Sequence, residues 1–116
     1  MSLTRDFRQT IQDRAQKDPA FRKAMLTEAM DAFLSGDVET GKAMLRDYIN
    51  ATVGFETLSK KIQKPSKSLH RMLSPAGNPN TNNFFRILHY LQSNEGVELV
   101  VTARQTQDTS IRDMAP

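Results

Sequence analysis

Apolar side chains recur along this chain at helical spacing as far as residue 95 and alternate beyond it. Phe7, Ile11 and Ala15 stand at i, i+4 and i+8, which predicts a first helix over Thr4–Lys17 with a thin apolar stripe and Thr4 as its cap. Asp18 followed by Pro19 marks a new start, a cap and then proline at the first helical position. The second helix carries a broad apolar face from Phe21 through Met25, Leu26 and Ala29 to Phe33 and Leu34, and Gly36 suits its end. Asp37 can cap a third helix over Val38–Thr52, in which Val38, Leu45, Tyr48, Ile49 and Thr52 recur at helical spacing beside Met44. Gly54 stops it. Two short helices follow, Phe55–Ile62 and Pro65–Leu73, separated only by Gln63 and Lys64. Asn80 can cap a last helix, "TNNFFRILHYLQ", with Phe84, Ile87, Leu88 and Leu91 on one side.

After Gly96 the period changes. In "VELVVTA", Val97, Leu99 and Val101 alternate with other residues and β-branched types dominate, which predicts a β-strand. A lone strand is not stable, so it should pair with a copy of itself, a partner's sheet edge or another segment. The final "RQTQDTSIRDMAP" is polar and reads as a flexible tail. The expected fold is mostly α, five or six helices with a short C-terminal strand. Residues 1–36 form a helical extension, 37–103 the main domain and 104–116 the tail.

With 116 residues and an apolar fraction of 38%, the chain can build one small core. The absence of cysteine excludes a disulfide scaffold and a thiolate metal site, and suits the cytoplasm. No run approaches the length of a membrane span, and "MSLTRDFRQT" lacks the apolar stretch of a leader peptide. A cytoplasmic protein with no membrane partner is expected.

Charge changes the picture more. Residues 57–94 contain no Asp or Glu but hold Lys60, Lys61, Lys64, Lys67, Arg71 and Arg86. Of sixteen cations in the chain, ten are left to face thirteen acids elsewhere, a net of −3 against +6 in this stretch. Such a separation of sign suits a polyanion, although a solvated basic surface carries the same residues.

Two short helices on a tight connection, with packing helices on either side, are the arrangement of a helix-turn-helix. Leu58 and Ile62 face inward from the first, and Leu69, Met72 and Leu73 anchor the second. The outward set is Ser66, Lys67, Ser68, His70 and Arg71. Small and polar groups near the start of a recognition helix allow approach to base edges, and Lys67 and Arg71 can reach guanine or phosphate. A carboxylate there would face duplex DNA, which carries one phosphate charge per roughly 1.7 Å of axis. Lys64 in the turn and Asn80 beside the Asn-Pro loop complete the candidate DNA-binding set. His70 can equally cover the core edge, and turn formation and capping account equally for Asn78 and Asn80. Phe84, Phe85, His89, Tyr90 and the methionines read as core and rim. His70 and His89 are the only histidines and have no carboxylate nearby in sequence to orient them. Neither catalysis nor a cofactor or metal is expected.

The stretch "FETLSKKIQKPSKSLHRMLSPAGNPNTNNFFRILHYL" resembles the probable addiction-module antidote proteins. These are relatives of the HigA antitoxins with a phage-repressor-type (Cro/CI-like) helix-turn-helix. "SLHRMLSPAGNP", followed by an apolar helix and a short strand, is the most telling part, and the likeness covers Asp37 to Thr102. The resemblance implies a small protein that represses its own operon and neutralises a RelE/ParE-like toxin encoded beside it. Sequence-specific binding of duplex DNA as a homodimer is expected, since half-sites are usually read by two-fold symmetric pairs. Other readings are a Cro/CI-type regulator without a toxin, and a protein-binding adaptor. The sequence departs from the family where Gln63 replaces the usual turn glycine and Lys64 the apolar residue after it. Either the turn has another geometry or Gln63 is left-handed. The first helix, with too thin a stripe for firm docking, is expected to serve a partner or to lack order.

Overall fold

The computed structural model describes residues 5–107. Among them are six helices and no strand: α1 (Arg5–Lys17), α2 (Pro19–Leu34), α3 (Val38–Ala51), α4 (Gly54–Ile62), α5 (Ser66–Met72) and α6 (Thr81–Glu95). Thr4, expected as the first cap, and residues 108–116 of the expected tail lie outside the described residues. The predicted caps do their work elsewhere. The side chains of Asp18, Asp37 and Asn80 accept from the backbone N–H groups of Phe21, Thr40 and Asn83 at 3.2, 3.2 and 2.8 Å.

The helices enclose one core. Leu26 and Ala29 of α2, Leu45, Tyr48 and Ile49 of α3, and Ile87, Leu88 and Leu91 of α6 meet the buried faces of α4 and α5. The α2–α3 pair is the most extensive packing in the fold. It is close because position 41 is glycine, where a Cβ would lie 2.8 Å from the Phe33 ring. Not every apolar position turns inward: Leu34 and Phe85 remain 64% and 58% exposed.

The thin stripe of α1 docks despite its size. Ala15 is fully buried and Ile11 half-buried, and the helix packs on α2 and α3. Polar contacts supply what the stripe lacks. Arg22 donates to the Ala15 carbonyl at 2.7 Å, and the Arg14 guanidinium lies over the Phe21 ring, 4.4 Å from its centroid. The same Arg22 holds Glu95, at the far end of α6, by Nε–Oε2 and Nε–Oε1 contacts of 2.9 and 3.1 Å. Tyr48 donates its phenolic proton to Glu95 Oε1 at 2.6 Å. Burial, reinforced by the hydrogen bond to Glu95 and its negative charge, pushes the Tyr48 phenol well above its ordinary value. One carboxylate thereby ties together α2, α3 and α6.

The predicted C-terminal strand does not form. Residues 97–103 form neither helix nor strand. The Val97 amide donates to the Gln92 carbonyl at 3.0 Å and the Leu99 amide to the Gln92 side-chain oxygen at 2.8 Å. Val97 and Leu99 rest against the core beside Leu26, while Val100 and Val101 are each 74% exposed. Val97 and Leu99 thus meet the core from a segment that is neither helix nor strand, while Val101, the third alternating residue, faces solvent. A strand needs a second backbone to share its hydrogen bonds, and none of the described residues provides one.

Candidate functional site

The segment without acids folds as α4, a turn at residues 63–65, and α5. Leu58 and Ile62 of α4 and Leu69 and Leu73 at α5 are buried, so both helices turn their polar sides outward. The turn depends on Gln63, whose backbone is left-handed at φ 57°, ψ 47°. It is the one non-glycine residue with positive φ among those described. Where the resemblance leads one to expect glycine, glutamine thus takes the glycine conformation.

The surroundings hold that conformation in place. The amides of Gln63 and Lys64 both donate to the Ser59 carbonyl, and the Ser59 hydroxyl donates to the Lys64 carbonyl. Arg86 reaches across from α6 and donates to the Ile62 carbonyl. The Ser59 and Ile62 carbonyls, two of the four at the end of α4 without an intrahelical partner, are thereby satisfied.

The outward positions of α5 fall in two groups. Lys67, His70 and Arg71 are exposed at i, i+3 and i+4 and share one face; Ser66 and Ser68 are half-buried, as is Lys64 in the turn. His70 stacks on Phe55 of α4 with ring centroids 4.0 Å apart and planes 26° apart, so it braces the two short helices while its edge faces out. Asn80 stands apart from this group, because its side-chain oxygen caps α6. Asn78 is bound to Lys42.

Ion pairs among the described residues are Arg14–Asp18, Arg22–Glu95 and Lys42–Glu39. None involves Lys60, Lys61, Lys64, Lys67 or Arg71. No carboxylate of the described residues therefore lies within 4 Å of any of these five cations. Arg86, counted with them in the sequence, is engaged at the end of α4.

Besides Arg14 and Arg22, the structural cations that the sequence did not reveal are Arg86, Lys42 and Arg46. Lys42 is 1% exposed and bonds the loop that follows α5, and Arg46, one turn further along α3, donates to the Leu73 carbonyl. A signal existed for Lys42. It follows Val38 by four residues and precedes Leu45 by three, so it lies on the inward stripe, where a charge is rare unless partnered. No comparable mark distinguishes Arg86 or Arg46.

The described residues contain no group of three or more His, Asp or Glu placed to hold a metal ion, and no helix long and apolar enough to cross a membrane. No protein-family model, curated protein or solved structure matches the chain.

Proposed function

We propose that the chain binds duplex DNA in a sequence-dependent manner, with α4 and α5 acting as a helix-turn-helix and α5 as the reading helix. The observation that carries this reading is the face of α5. Lys67 and Arg71 stand outward on a helix anchored by buried leucines, within 38 residues that hold no carboxylate. Seven residues of α5 span roughly 10 Å, enough to set a few side chains against base edges in a major groove about 12 Å wide. Half-sites on duplex DNA are usually read by two-fold symmetric pairs, so the acting species is a homodimer. The finer form of the proposal is an antitoxin that represses its own operon and neutralises a RelE/ParE-like toxin. It rests on the resemblance of residues 37–102 alone.

Selection from a randomised duplex pool tests the reading. A defined sequence should be enriched, and Arg71→Ala or Lys67→Ala should weaken binding to it by about 1–3 kcal/mol if either residue makes a bidentate base contact. A pool with no enriched sequence, or both variants matching the parent, rejects it. Co-purification with the tagged product of a neighbouring reading frame tests the antitoxin form. Enrichment of DNA without such a partner leaves a plain Cro/CI-type regulator.

A further inference from the structure

Lys42 carries an ammonium where a solvent-facing charge has no place. Its Nζ donates to the Ser74 carbonyl at 3.0 Å, the Gly77 carbonyl at 2.7 Å and Asn78 Oδ1 at 3.3 Å, and pairs with Glu39 at 2.9 Å. Three of these four partners belong to one short segment, the path from α5 to α6. Arg46 extends the grip by donating to the Leu73 carbonyl. From the other side the segment is folded back on α5, since a Cβ at Gly77 would overlap the Arg71 carbonyl oxygen.

α3 thus holds the exit of α5 through hydrogen bonds with direction, which apolar packing lacks. Removing the ammonium leaves the Ser74 and Gly77 carbonyls without their donor, so Lys42 contributes one defined placement of the segment along with stability. We propose that Lys42 is a positioning residue for DNA reading. By fixing residues 74–78 it sets the angle at which α5 presents Lys67 and Arg71. This rests on the duplex-binding reading above.

Lys42→Met in the full chain provides the test. The probes are the duplex that the unaltered protein enriches and an unrelated duplex of equal length. Affinity for the enriched duplex should fall roughly tenfold, the scale of one lost base contact, while affinity for the unrelated duplex changes less than about twofold. Amide exchange should accelerate over residues 71–78 and stay unchanged in α2. Gly77→Ala displaces the same segment with Lys42 intact and should give the same split, which decides the matter if Lys42→Met does not fold. Equal losses on both duplexes, or none, overturn the positioning role while leaving the DNA reading standing. If the unaltered protein enriches no duplex, both are overturned.

Discussion

Replacing Gln63 by glycine should stabilise the protein, and the structure sets the amount. Gln63 is exposed, and its side chain makes no hydrogen bond among the described residues, so the substitution removes no hydrogen bond. A residue with a Cβ in the left-handed region costs roughly 1–2 kcal/mol. Glycine relieves that cost but adds freedom to the unfolded chain, returning roughly 0.4–1 kcal/mol. The net gain is about 0.5–1 kcal/mol, a rise of roughly 2–5 °C in Tm for a domain of this size. Thermal and urea unfolding of Gln63→Gly, Gln63→Asn and Gln63→Ala should rank glycine first, asparagine second and alanine level with the parent, because alanine keeps the steric conflict. A glycine variant no more stable than the alanine variant would refute the argument that this turn stores conformational strain.

Glu95→Ala should cost about 3–5 kcal/mol, because it leaves the buried Tyr48 and the half-buried Arg22 without their shared partner; chemical denaturation reads this directly. The Tyr48 phenol holds its proton more tightly in the folded chain than in the unfolded one. Its stabilising contribution is therefore complete below pH 10.0, its ordinary value, and declines as pH rises from there through the higher folded-state value. Tyr48 and Tyr90 are the only tyrosines and there is no tryptophan, so phenolate absorbance is easily resolved; two phenolates formed with helix content intact would contradict this. Gly41→Ala should destabilise by about 1–3 kcal/mol through overpacking against Phe33, seen as a lower Tm, with DNA affinity at low temperature unchanged.

The helices were legible because their ends carry chemistry in the sequence itself. Asp18, Asp37 and Asn80 cap α2, α3 and α6 as their types and spacing suggest. The pair of short helices was also readable, since Leu58, Ile62, Leu69 and Leu73 leave only one face for charge. What misled was the segment from Val97. Alternation reports burial on one side of an extended chain and does not say whether the other side of the backbone has a partner. The docking of α1 was hidden for a related reason. It relies on Arg22 and Arg14, whose acceptors and ring partner are brought near only by the bend at Asp18. Arg86 and Arg46 act on backbone carbonyls, which every residue possesses and no pattern marks.

The engagement of Arg86 at the Ile62 carbonyl bears on how many condensed counterions this protein could displace. The stretch without acids offers six cations, of which Arg86 donates to the Ile62 carbonyl and the side chains of the other five make no hydrogen bond or ion pair to the described residues. Each neutralised phosphate contributes about 0.9 to the slope of log affinity against log salt. If those five cations alone neutralise phosphate, the slope on B-form duplex should be about −4.5 for each chain bound. A salt titration would in this way count the cations that reach the polyanion, and Arg86→Gln would leave that count unchanged.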